Sequence, residues 1–299
     1  MRLLPPFASW REHLFGVPAG GPLPLHLIRH MRPDRAKHAI RARCQATGLA
    51  DGTVLCRVLG RYKMYLPAED RTLTPHLILD GYWELWLTRF FLRTLRVGMH
   101  VADVGANVGY YSLLMAEMVG EAGQVLAVEP NPAVAPLLRA NLLMGGFAAR
   151  VAVEEAALGA AAEDGRRLAV PGGAPMNAAL MPRAAEGGHA VRVTTLDARL
   201  EGWPRLDLVK IDAEGAEAEI LQGMQAVLAR WRPHLVIEIN AARGYDAAAL
   251  LRRLAERYPV LRSIEHDDTL PVVTPEDVAG RRIGSDWLIF AAGDPPLPR

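Results

Sequence analysis

One stretch of this chain gathers acids in a way that could do acid–base chemistry. In Asp207-Leu208-Val209-Lys210-Ile211-Asp212-Ala213-Glu214-Gly215-Ala216-Glu217, a mostly apolar run ends in three carboxylates. Glu217, near a helix start, complements the positive end of the helix dipole, and Gly215 permits a turn. Neither reason covers Asp212 and Glu214, which are expected to project at the mouth of a sheet. A carboxylate there can take a proton from a nucleophile or hold a cation. A second pair, Glu238 and Asn240, closes the run 234–240, and strand alternation puts both on one side. With Asp212 on a neighbouring strand they could make an oxygen site for Mg²⁺. The plainer reading, a polar strand end lining a substrate pocket, is preferred, so no metal ligand is assigned.

A second stretch has the residues to hold a ligand. Positions 99–104 read as a buried strand, Gly105-Ala106-Asn107-Val108-Gly109 as a turn, and 110–119 as a helix. Strand, glycine turn and helix place a nucleotide-like ligand at the carboxyl end of a sheet strand. Asp103 is expected to face that crevice. The G-x-G-x-x-G of dinucleotide sites is missing, which makes a nicotinamide-dependent dehydrogenase a poor reading. Glu129 ends the next strand, 124–128, where a carboxylate can accept hydrogen bonds from ribose hydroxyls. Small residues at Glu155-Ala156-Ala157-Leu158 suit the edge of a flat ring, or form a tight strand exit.

These residues need elements to carry them, and the chain supplies an alternation. Strands are expected at 99–104, 124–128, 150–153, 206–211, 234–239, 260–265 and 286–291. Helices are expected at 110–119, 131–144 (with Pro132 in its first turn), 216–230 and 246–258. Such alternation implies α/β architecture, a mostly parallel sheet with helices on both faces. Residues 160–190, rich in Ala, Gly and Pro, read as a loop with one short hairpin (167–170 with 190–193) and as a lid candidate. Ahead of the sheet lie helical turns near 9–15, a basic helix over 34–47 and a hairpin of 53–59 with 62–66. A helix over 72–79 and an amphipathic helix opened by Gly81-Tyr82-Trp83-Glu84 follow. Residues 1–80 are therefore assigned to an N-terminal helical and hairpin appendage, and 81–299 to the main domain.

Bulk properties narrow the function classes. The net charge of +1 argues against general nucleic-acid binding. It divides unevenly, +6 over residues 1–50 and −5 beyond, so the basic segment hints at an anionic acceptor, carrier or surface. Cys44 and Cys56 form no C-x-x-C, which suits two reduced thiols in a cytoplasmic protein. No signal peptide and no membrane-spanning run are expected. His234 is expected to be structural, and His266 a pocket or loop residue.

The motifs Asp103-x-Gly105-x-x-x-Gly109-Tyr110-Tyr111-Ser112, Val128-Glu129-Pro130-Asn131-Pro132, Thr194-Thr195-Leu196-Asp197 and Lys210-Ile211-Asp212-x-Glu214-Gly215-x-Glu217 stand in order over roughly 80–240. In this the chain resembles the FkbM family of S-adenosylmethionine (SAM)-dependent methyltransferases. The resemblance implies a class I (Rossmann-like) methyltransferase fold, with a seven-stranded sheet whose last strand is antiparallel. It implies methyl transfer from SAM, usually to a hydroxyl oxygen of a sugar, glycoconjugate or secondary metabolite. Asp103, Gly105, Asn107 and Gly109 would cradle the methionine end, Glu129 the ribose, and Glu84 the ammonium. Tyr110, Asn131, Ala157 and Asp212 complete the expected cofactor contacts. Asp212 and Glu214, with Glu238, would lie beside the transferring methyl, Asp212 being the leading base. The alternatives keep the fold and move the acceptor to nitrogen, carbon or a peptide, or leave a non-catalytic SAM-binding protein. A homodimer through the appendage is compatible with the sequence.

Overall fold

The computed structural model describes residues 21–183, 185–281 and 284–294. The helical turns expected near 9–15 lie outside them. The chain opens with α1 (Leu25–His30) and α2 (Pro33–Arg41), then β1 (Ala46–Gly48), β2 (Thr53–Val58) and β3 (Tyr62–Pro67) in one antiparallel sheet. The hairpin β2–β3 is as expected. The basic helix is shorter than expected, because residues 46–48 pair with 54–56 instead of continuing the helix. An open strand edge offers backbone partners that outweigh weak local helix preference.

Next come α3 (Leu73–Leu79) and α4 (Leu85–Thr94), with Glu84 in a left-handed conformation (φ +37°) just before α4. The main sheet begins with β4 (His100–Val104), α5 (Tyr110–Val119), β5 (Gln124–Val128), α6 (Ala135–Met144) and β6 (Val151–Glu154). Then β7 (Ala157–Leu158), β8 (Glu163–Ala169), β9 (Ala179–Leu180) and β10 (His189–Thr194) form a separate four-stranded sheet. The sequence pattern of this segment reads as mostly loop. The hairpin forms near its expected place, but Arg166 also pairs with Glu163 at 2.7 Å and Glu219 at 3.1 Å, which anchors β8 to the main domain.

The chain continues with α7 (Leu196–Arg199), β11 (Leu208–Ile211), α8 (Glu217–Gln222), α9 (Gln225–Trp231), β12 (His234–Ile239) and α10 (Ala247–Arg257). It closes with β13 (Leu261–Ser263), β14 (Val272–Val273), α11 (Pro275–Gly280) and β15 (Trp287–Ala291). The expected helix 216–230 is broken at Gly223, where a Cβ would stand 2.0 Å from the Gly159 carbonyl oxygen. The restarted helix is capped by Asp197, whose carboxylate accepts the Ala226 and Val227 N–H groups at 3.0 and 2.8 Å.

The large sheet has the order β14-β13-β15-β12-β11-β4-β5-β6. β4, β5, β6, β11 and β12 are mutually parallel, and β15 is antiparallel between β12 and β13. This is the expected class I arrangement with a two-residue eighth strand added at one edge. Every residue of β4, β11 and β12 is buried, as parallel strands covered on both faces must be. Chain order reverses between β4 and β11, so a crevice opens at their carboxyl ends.

The appendage shares the core of this domain: Val58, Met64 and Leu66 belong to the same buried cluster as Phe91, Tyr111 and Leu114. Asn141 of α6 clasps the Tyr65 backbone, accepting its N–H at 2.7 Å and donating to its carbonyl at 3.0 Å. Among the described residues no helix is long and apolar enough to cross a membrane.

Candidate active site

The crevice between β4 and β11 holds a cavity of about 380 Å³. Its floor is residues 105–108 of the glycine turn, anchored where the Gly105 and Ala106 N–H groups donate to the Val128 carbonyl at 3.0 and 2.9 Å; Gly109, expected as a ligand contact, packs toward Leu138 instead. Gly105 (φ +74°) packs directly on the loop carrying Asp212, and a Cβ there would lie 1.7 Å from the Asp212 carbonyl oxygen. Glycine is thus required to bring the two motifs together, beyond any approach of ligand to backbone. Gly105→Ala is expected to destabilise the fold by more than about 2 kcal/mol, since both strain and displaced backbone contribute. A thermal melt within 2 °C of the parent would contradict this close approach.

Asn107 adopts φ +52°. Its N–H donates to Glu129 Oε2 at 2.8 Å, and the Asn131 N–H donates to Oε1 at 2.8 Å. Each Glu129 oxygen keeps a lone pair for a further donor. The amides of Asn107 and Asn131 reach outward to the Met176 and Pro175 carbonyls at 3.0 and 2.8 Å. They pin the 170s segment across the cavity. Asn131 therefore does not line the cavity as a ligand contact was expected to; it holds the segment that does. Tyr110 and Ala157 do line the wall, with the Tyr110 hydroxyl 3.0 Å from Thr88 Oγ1.

Asp103 does not face the crevice. It is fully buried, accepts the Ser112 hydroxyl at 2.6 Å, and lies 3.6 Å from Lys210 Nζ. The parallel register sets Lys210 beside Asp103. Lys210 in turn donates to Asp212 Oδ2 at 3.2 Å and stands 5.2 Å from the centre of the Tyr111 ring. Burial alone would lower the Lys210 pKa, but Asp212 and Asp103 outweigh it and hold the ammonium charged. Asp103 acts on the site from below, through Lys210.

At the mouth, Arg243 collects the remaining acids. It meets Glu238 Oε1 at 2.7 Å, Glu214 Oε2 at 2.9 Å and Asp286 Oδ1 at 3.1 Å. Glu217 accepts the Ala213 and Gly215 N–H groups, both at 3.1 Å, and so shapes the loop between Asp212 and Glu214. Neither Arg243 nor Asp286 belongs to any motif; only the return of β12 beside β11, and of β15 beside β12, brings them here.

Asp212, Glu214 and Glu238 offer oxygens within 4.8 Å of one another. They do not fit Mg²⁺ as they stand, because the Arg243 guanidinium already serves as the cation for two of them. Asn240, the third ligand considered from the sequence, donates to Asp286 at 2.9 Å and accepts the Ala242 N–H at 2.9 Å.

SAM fits better. Glu84, Glu129, Asp212, Glu214, Glu238 and Asp286 line the cavity against Lys210 and Arg243, a balance that calls for a cationic ligand. Burial pushes Glu84 and Glu129 up to about 7, and Asp212 adds to the rise at Glu84. Burial, then Asp212, raises Glu238 to about 9. A ligand carrying positive charge favours the ionised carboxylates, so its binding should release protons near neutrality. SAM affinity is accordingly expected to rise several-fold from pH 6 to pH 8. Calorimetry in buffers of different ionisation enthalpy would read the proton release; affinity that falls over this range would contradict it.

The profile of the family described as "Methyltransferase FkbM domain" matches residues 103–258, just over half of the chain. Methyltransferase sdnD of Sordaria araneosa is 30% identical over 156 residues, 42% of this chain and 60% of its own length. A protein-L-isoaspartate O-methyltransferase of Methanothrix thermoacetophila is 45% identical over 51 residues, 17% of this chain and 24% of its own. The chain thus spans less than two thirds of either curated relative. Among solved structures, methyltransferase FkbM of Methylobacillus flagellatus overlaps 69% of this chain and 53% of its own at 15% identity, with a TM-score of 0.43.

Proposed function

This chain belongs to the FkbM methyltransferase family, and we propose that it transfers a methyl group from SAM to a hydroxyl oxygen of a sugar, glycoconjugate or secondary metabolite. SAM, when bound, supplies a methyl already activated by its sulfonium. The chain must then hold the donor, align the acceptor and remove one proton. Glu129 accepts from the ribose hydroxyls, with its orientation set by the Asn107 and Asn131 N–H groups. Ala157 borders the adenine. Glu84, held by the Tyr111 hydroxyl at 2.9 Å, receives the ammonium.

Asp212 takes the acceptor proton. Lys210 fixes its carboxylate, and Glu214 and Glu238 flank it, steadied by Arg243. The observation that carries the hydroxyl reading is this crowd of acids beside the cavity. An alcohol must lose its proton to a base during attack, whereas a neutral amine can attack first and lose its proton afterwards.

The test is methyl transfer from labelled SAM to matched alcohols and amines on sugar and metabolite frameworks. Label is expected on oxygen. Transfer confined to nitrogen, carbon or peptide acceptors would replace this reading with one of those chemistries.

A further inference from the structure

A second cavity, of about 560 Å³, opens beside the first and shares Trp83, Glu84 and Asp286 with it. Its walls come from the turn and helix at 81–86 and from the segments following β13 and preceding β15. Trp83 and Trp86 are half-buried and His266 is exposed. The rings of Trp86 and His266 stand 3.8 Å apart between centroids, tilted at 46°, and Trp83 lies 5.3 Å from the His76 ring. Large aromatic faces left partly open in a concavity are the feature that marks a ligand groove.

Beside neutral serines, Tyr82 and the two histidines, the carboxylates form one group. Asp80, Glu84, Glu265 and Asp286 line this cavity, and among the described residues no lysine or arginine does. Asp80 is bonded to Arg41 at 2.7 Å, Asp286 meets Arg243 at 3.1 Å from the neighbouring cavity, and Glu265 accepts the Ser263 hydroxyl at 2.5 Å. Carboxylates accept hydrogen bonds and repel anions.

We propose that this trough is the acceptor subsite. It takes a neutral ring with an apolar face against Trp86 and His266 and with hydroxyls directed to the carboxylates. The shared edge at Trp83, Glu84 and Asp286 sets such a ring next to the Asp212 cluster. The charge of this lining argues against the anionic acceptor that the basic N-terminal segment suggested. The proposal rests on the methyl-transfer reading for its role, while ring binding can be measured without turnover.

Saturation-transfer NMR on the full chain, with S-adenosylhomocysteine present, compares methyl β-D-glucopyranoside with methyl β-D-glucuronide. The glucoside is expected to bind through its axial-hydrogen face, at least fivefold more tightly than the uronate. Trp86→Ala and, separately, the exposed-ring variant His266→Ala should each weaken it at least fivefold, with Trp86→Phe retaining most of the affinity. S-adenosylhomocysteine affinity, measured by calorimetry, should stay unchanged in all three and thereby report on folding. Equal affinity for the two probes, no transfer from either, or undiminished binding in both His266→Ala and Trp86→Ala would overturn the subsite. Ring binding that persists in a chain unable to bind SAM would overturn the methyl-transfer reading and leave the ring site standing.

Discussion

Asp212→Ala is expected to lower kcat by about 10³-fold while leaving SAM affinity within about threefold of the parent. General-base assistance contributes roughly 10²–10⁴ in rate, and hydroxyl acceptors depend on it heavily. Asp212 suits the part by position: it directly follows β11, its side chain is 29% exposed, and it lines the cavity. Its neighbours Glu238 and Glu214 are engaged by Arg243 at 2.7 and 2.9 Å, so they are poorly free to substitute. Donor binding should persist because Glu129, Glu84 and the 105–109 turn are held by hydrogen bonds to Asn107, Asn131, Tyr111 and Val128, none of them to the Asp212 carboxylate. Single-turnover transfer to an acceptor identified by the oxygen-acceptor panel gives the rate, and calorimetry gives the affinity. Undiminished turnover would end the assignment. A loss of SAM binding as large as the loss of rate would make Asp212 a binding residue instead.

Lys210→Met is expected to cost about 3–5 kcal/mol of stability, the usual range when one member of a buried ion pair is removed. The side chains of Lys210 and Asp103 are 3% and 0% exposed, so water cannot replace the missing ammonium. One Asp103 oxygen has no hydrogen-bond partner, which makes the loss harder to absorb. Burial already pushes Asp103 upward, with Lys210 and then Ser112 pulling it back; without Lys210 it rises further.

A carboxyl whose pKa in the folded state exceeds its unfolded value binds more protons when folded. Its stabilising contribution is therefore present below the unfolded pKa and is lost as pH rises through the folded one. The deficit of the variant should grow from pH 5 to pH 8. Urea denaturation at both pH values measures it, and adding Asp103→Asn should restore part of the loss by removing the charge. A loss below about 1 kcal/mol, or a deficit that shrinks as pH rises, would show that the ion pair does not hold this floor together.

Much of the main domain is legible in the chain because its signals are local. The runs at 124–128 and 234–239 are long enough in buried residues to be read as strands, and the sheet follows from their alternation with helices. The glycine turn and Glu129 are readable from spacing alone. What escaped reading depended on partners distant in sequence. Residues 46–48 became a strand because β2 offered an edge. The helix after Glu217 broke because the Gly159 backbone needed the space at Gly223. Residues 157–194 built a sheet through β7 pairing with β10 across more than thirty residues, a pairing no short window contains.

Local sequence was enough for the family resemblance, for the five parallel strands of the large sheet, and for the motifs that bring Asp212, Glu129 and the 105–109 turn to one crevice. Each of these is written in neighbouring residues, where backbone preference and apolar period act directly. That Asp103 lies beneath the site instead of facing it follows from packing alone. The same packing makes Arg243 and Asp286 complete the acid cluster, and brings Trp86 to meet His266 in a trough beside it. Burial and charge pairing are properties of a packed arrangement, and packing joins residues that the chain keeps far apart.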